Sequence, residues 1–178
     1  DAETGGALLV INVDSRVIAL AFFTDPATGA PRLACSSHDE KVRVFGPVAG
    51  GEALAVLEGH ASFLEALAAF TDPATGESRL VSGSPDGTVR VWNPAAGGAA
   101  IEAGPEGHSD EVIALLTFVD PATGALRVAT GSYDKTIRVW DAETGGALLV
   151  INVDSRVIAL AFFTDPATGA PRLACSSH

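Results

Sequence analysis

Two kinds of apolar run alternate along this chain. One is nearly continuous: VIALAFF (Val17 to Phe23), FLEALAAF (Phe63 to Phe70) and EVIALLTF (Glu111 to Phe118). A strand covered by neighbours on both faces reads this way. The other alternates strictly, as KVRVF, TVRVW and TIRVW, ending at Phe45, Trp92 and Trp140, with Arg43, Arg90 and Arg138 recurring on one face. Period two marks a strand with one wetter face. Between them stand RLACSS (Arg32 to Ser37), RLVSGS (Arg79 to Ser84) and RVATGS (Arg127 to Ser132), and a Gly-Gly pair after each alternating run leads to a fourth extended segment, clearest as ALAVLEGH. In chain order these are segments a, b, c and d. FLEALAAF alone holds good helix formers. The aligned VIALAFF is rich in β-branched and aromatic residues, and runs of seven or eight fall short of a typical helix of about 11. The pattern predicts an all-β chain of four short antiparallel strands per unit.

Turn chemistry supports that spacing. D-P-A-T-G follows every a segment, at Asp25 to Gly29, Asp72 to Gly76, Asp120 to Gly124 and Asp165 to Gly169. Proline presets φ at the first corner, aspartate caps the turn, and glycine accepts the positive φ that ends it. Each is a hairpin signal.

The repetition has a longer period as well. Residues 1–38 return without a change as residues 141–178. We read a d segment in 1–13 (Ala7 to Val13), units at 14–60, 61–107 and 108–153, and a partial unit at 154–178 holding a and b alone. Such an array leaves an open strand edge at RLACSS (Arg172 to Ser177), and open edges pair with other chains. The expectation is either a piece of a longer chain or several copies assembled into a ring. The absence of methionine and the start at Asp1 favour a piece.

Composition narrows the function classes. The formal charge is -11, with eleven basic residues spread along the chain, so the clustered basic footprint of nucleic-acid binding is missing. The longest apolar stretch, Ala7 to Phe23, is broken by Asp14, Ser15 and Arg16, short of the roughly 20 residues of a spanning helix. No secretory leader pattern opens the chain. We expect a soluble, cytoplasmic or otherwise intracellular protein that engages neither membrane nor nucleic acid. Cys35 and Cys175 are one position seen twice, so no disulfide framework is implied.

Gly59-His60 and Gly107-His108 precede segment a, and Trp92-Asn93 and Trp140-Asp141 close segment c. With these the units resemble the WD-repeat β-propeller family. The resemblance implies blades of four antiparallel strands around a channel with strand a innermost, about three and a half of them here. It also implies a structural relay in each blade: His60, Ser82, Asp86 and Trp92 in the second unit, and His108, Thr130, Asp134 and Trp140 in the third. A buried indole N–H and an imidazole both need partners, and a chain of hydrogen bonds ending on a carboxylate satisfies them together. In the first unit Val13, Cys35 and Phe45 stand at the His, Ser and Trp positions, leaving Asp39 alone as a turn residue. A partly satisfied buried network is worse than an apolar one. Val153 and Cys175 repeat that apolar version.

Other constellations carry less. His, Ser and Asp together suggest a hydrolase, but the spacing recurs from unit to unit and no G-x-S-x-G elbow is present. Cys35 and His38, like Cys175 and His178, have C-x-x-H spacing without four converging donors. The acidic stretch Glu102 to Glu111 lacks the ordered oxygen spacing of a cation loop. Arg43, Arg90 and Arg138 read as cross-strand ion-pair partners. No catalytic residue, metal site or cofactor is expected. The resemblance implies protein partners docking on the face made by the d–a and b–c loops, and nominates Asp14, Ser15, Arg16, His38, Asp39 and Glu40. The expected function is a non-enzymatic interaction scaffold, with a self-assembling repeat protein as the alternative and a homo-oligomer or longer propeller chain as its setting. A sugar-binding propeller would want exposed Trp or Tyr in each blade, whereas both Trp fall in relays and one Tyr is present.

Overall fold

A computed structural model describes residues 9–97, 100–102 and 107–177. Fourteen strands and no helix occur among them. The first sheet contains β1 (Val17–Thr24), β2 (Pro31–Ser37), β3 (Lys41–Phe45) and β4 (Ala55–Glu58), in that order. The second contains β5 (Ala66–Thr71), β6 (Ser78–Gly83), β7 (Val89–Trp92) and the short β8 (Ile101–Glu102). The third contains β9 (Val112–Val119), β10 (Leu126–Ser132), β11 (Thr136–Asp141) and β12 (Ala147–Asn152), and the last is the hairpin β13 (Val157–Thr164) with β14 (Pro171–Ser177). All pairings are antiparallel between chain neighbours. Short turns set the register of the a–b pairs.

The D-P-A-T-G hairpins show how. Gly29 N–H donates to the Asp25 carbonyl at 2.8 Å, Ala27 N–H to the Asp25 carboxylate at 3.0 Å, and Gly29 takes φ 69°. Left-handed backbone is inexpensive there because glycine has no Cβ. The same turn recurs at Asp72, Asp120 and Asp165.

The core lies between sheets. Ala21, Ala34, Val42, Val44 and Leu57 of the first sheet pack against Leu64, Leu80 and Trp92 of the second unit. Val81, Val89 and Val91 of the second sheet pack in the same way against Val112, Val128 and Trp140. Sheets approach closely at one position of each b strand: a Cβ added at Gly83 would sit 2.7 Å from Val112 Cγ1, and one at Gly131 2.4 Å from Val157 Cγ1. The first sheet has Ser36 there, whose hydroxyl donates to the Leu64 carbonyl at 3.3 Å.

Two expectations need correction. Residues 9–13, the described part of the first d segment, form no strand; residues 7 and 8 lie outside the described residues. The identical Leu149 to Asn152 belong to β12 because β11 lies alongside, pairing Val139 with Leu149 and Thr136 with Asn152. An extended segment without a neighbour has nowhere to place its backbone hydrogen bonds except water. The a segments are covered on both faces only within the array. Leu20 and Phe22 of β1 are exposed, as are Ala161 and Phe163 of β13.

Candidate functional site

The second and third sheets each hold a buried polar chain at the junction with the preceding sheet. Trp92 Nε1–H donates to Ser82 Oγ at 2.8 Å, Ser82 Oγ lies 2.8 Å from His60 Nε2, and His60 Nδ1 lies 2.8 Å from Asp86 Oδ2. In the third sheet Trp140 Nε1–H reaches Thr130 Oγ1 at 2.8 Å, which lies 2.7 Å from His108 Nε2, and His108 Nδ1 lies 2.8 Å from Asp134 Oδ2. One tautomer satisfies every member. Each hydroxyl accepts from the indole and donates to Nε2, while Nδ1–H donates to the carboxylate. The turn between b and c supplies the carboxylate, and the chain just before strand a supplies the histidine. Both histidine side chains are fully buried.

Burial pushes Asp86 toward the neutral form. Hydrogen bonds from His60, Thr88 and the Ala61 and Thr88 amides outweigh it and hold the carboxyl well below its usual range. Asp134 behaves likewise, with Thr136 and His108 opposing burial. For His108, burial lowers the pKa against the opposing pull of Asp134, which keeps the ring neutral. A group held below its ordinary value contributes stability above that value and loses it as pH falls. Melting temperature is therefore expected to be level above the ordinary imidazole value of 6.5 and to fall below it. Protonation of Asp86 and Asp134 adds a second loss below 3.8. Thermal melts across this range check the sign: a His108→Gln chain should lose part of the first slope, and a melt that rises on acidification would contradict a neutral relay.

Sequence reasoning missed Thr88 and Thr136, which donate to Asp86 and Asp134 at 2.6 Å and stand 3.1 Å from the histidine Nδ1 atoms. A signal existed: the c segments with a relay begin TVRVW and TIRVW, and the one without begins KVRVF. Asp39 has a partner there. Arg43 makes a bidentate pair with it, Nη1 to Oδ1 at 3.0 Å and Nη2 to Oδ2 at 2.5 Å, and also reaches Ser37 Oγ at 2.9 Å. The Arg43 hydrogen bonds, with help from Ser37 and against burial, bring the Asp39 carboxyl down to about 2. Cys35 and Phe45 are buried beside it, and burial pushes the Cys35 thiol up.

The nominated loop residues come together on one end of the first sheet. His38 N–H donates to the Arg16 carbonyl at 2.9 Å, which sets residues 14–16 beside 38–40. Asp14, Arg16, His38 and Glu40 are exposed, while Ser15 and Asp39 are half-buried. His38 stacks on Phe63 at 4.9 Å, and Cys35 is a buried free thiol. No group of three or more His, Cys, Asp and Glu fit to hold a metal occurs among the described residues. His178 and residues 103–106 of the acidic stretch lie outside them. Among the described residues no helix is long and apolar enough to cross a membrane.

Antiparallel four-stranded sheets stacked face to face, with a polar relay sealed at the first two junctions, define blades of a β-propeller. The family model of the WD domain, G-beta repeat, matches residues 51–93 and 104–141. Those two stretches carry the repeat of the WD-repeat β-propeller family. No curated protein matches the sequence. Among solved structures it is similar to the computationally designed Ika4 protein, at 28% identity and TM-score 0.68 over 97% of this chain and 99% of that one. It also shares its fold with a chain of the Mitotic Checkpoint Complex, at 24% identity and TM-score 0.67, covering 90% of this chain and 45% of that one.

Proposed function

We propose that the chain is a non-enzymatic interaction scaffold whose b–c and d–a loop end docks another protein. The observation that supports this reading most is the sealing of both His–Ser/Thr–Asp sets: Ser82 and Thr130 are fully buried and hydrogen-bonded to indole and imidazole, so neither hydroxyl can meet a substrate. WD-repeat propellers are generally non-enzymatic. The relays act as structural elements of the blades. Polar groups free for a partner gather on the loops, where Asp14, Arg16, His38 and Glu40 face solvent. Glu40 is held there by left-handed backbone, φ 67°, a conformation that costs a non-glycine residue about 1 kcal/mol.

Reversing two of these charges provides the test. An Arg16→Glu, Glu40→Lys chain should melt like the parent and lose retention of a protein that the immobilised parent captures. Undiminished retention would overturn docking on this end.

A second reading, self-assembly, is favoured by the faces left open at β1 and at the β13–β14 hairpin. Apolar side chains of this size in a contiguous patch mark an interaction surface.

A further inference from the structure

We infer that the open face of the β13–β14 hairpin docks on the outer face of β1 of a second copy, head to tail, by the same packing that joins blades inside the chain. This inference rests on the self-assembly reading.

Three internal junctions share one construction. One aligned residue near the start of each of these a runs seats on the b strand of the preceding blade: Leu64 at Ser36, Val112 on Gly83 and Val157 on Gly131. At the third junction Phe118 also stacks on Phe162, centroids 4.5 Å apart and rings 20° from parallel. Phe118 and Phe163 occupy the same strand position, as do Phe162 and Phe22.

Because 17–37 and 157–177 have identical sequences, each open face has a covered twin. Val157 is fully buried against Gly131, whereas Val17 is 41% exposed. Phe162 is half-buried against Phe118, whereas Phe22 is 64% exposed. On the opposite face Phe23 packs on the first core cluster and Ala34 is fully buried. Their twins are open: Phe163 is 49% exposed and Ala174 is exposed. One end of the chain therefore presents Val17, Leu20 and Phe22 without the surface that receives them. The other presents Phe163, Ala174 and Ser176 without the residues that fill it. Setting Val17 of a second copy on Ser176, and its Phe22 on Phe163, builds a fourth junction of the observed kind.

Energetics favour docking over exchange. Were residues 141–178 of one copy to replace residues 1–38 of another, the new packing would only reproduce packing already present within the displaced copy, and association entropy would go uncompensated. Docking removes both apolar faces from water and unfolds nothing. The interface joins different patches of identical chains, so it continues until a ring closes.

A disulfide reads the register. A Cβ at Gly131 would lie 3.0 Å from Val157 Cβ, and one at Gly83 3.3 Å from Val112 Cβ, close to the roughly 3.5–4.5 Å of a disulfide. In a Cys35→Ser, Cys175→Ser background, a Val17→Cys chain is mixed with a Ser176→Cys chain under mild oxidation. The inference expects a bridge between positions 17 and 176 in the mixture. It also expects parent chains to have a native mass at a multiple of 18.1 kDa, and Phe163→Glu, which alters an exposed side chain, to return that mass to the single-chain value. A parent that is monomeric throughout overturns both the junction and the self-assembly reading. An assembly that forms no such bridge and keeps its mass in Phe163→Glu overturns the junction alone.

Discussion

Trp92→Ala is expected to lose about 3–5 kcal/mol in chemical denaturation, the range for emptying a buried aromatic site. Trp92 is almost fully buried in the first core cluster, where it joins its own sheet to Ala34, Val42 and Val44 of the preceding one. Truncation opens that junction and removes the indole donor from Ser82 Oγ. Trp92→Phe separates the two effects. Phe45 fills the equivalent place in the first sheet, so the ring fits; the loss should then approach about 1 kcal/mol, that of a single hydrogen bond. Equal losses in the two variants would show that the indole N–H, and not the packed ring, holds the junction.

One substitution made at two identical places should give opposite results. Ala34 and Ala174 sit in the same PRLACSS sequence, yet Ala34 is fully buried between sheets and Ala174 is exposed. Ala34→Lys forces an ammonium with no partner into an apolar junction and is expected to cost more than about 3 kcal/mol, as uncompensated buried charges do. Ala174→Lys should change the stability of the dilute, single chain by less than about 0.5 kcal/mol, the usual range for an exposed site. Under the proposed docking it also keeps copies apart, because position 174 lies on the receiving face. Urea unfolding of the two variants at low concentration compares them directly. A large loss at position 174 would mean that the hairpin is covered within its own chain.

Much of this arrangement was legible in the residues. Each hairpin could be read from D-P-A-T-G because the turn is local: proline, aspartate and glycine act on the four or five peptides around them. The relay members were legible through their recurrence at matching positions in two units. Thr88 and Thr136 escaped notice because a hydroxyl at the start of a strand looks like ordinary turn chemistry until a buried carboxylate is placed beside it. Asp39 read as a leftover turn residue for a similar reason, since its partner Arg43 belongs to a row of arginines that alternation alone assigns to the wet face.

The repeated 38 residues mark where reading along the chain stops. Identical sequence carries identical propensity, turn chemistry and alternation, and both copies duly form the same a–b hairpin with the same bulge beside Val17 and Val157. Their surroundings differ. Leu149 to Asn152 lie in a strand and Leu9 to Asn12 do not, Cys35 is buried and Cys175 exposed, and Val157 is covered where Val17 is open. Strand, turn and candidate relay follow from residues near one another in the chain. Burial depends on which blade stands alongside, a meeting of residues tens of positions apart, and no local pattern encodes it.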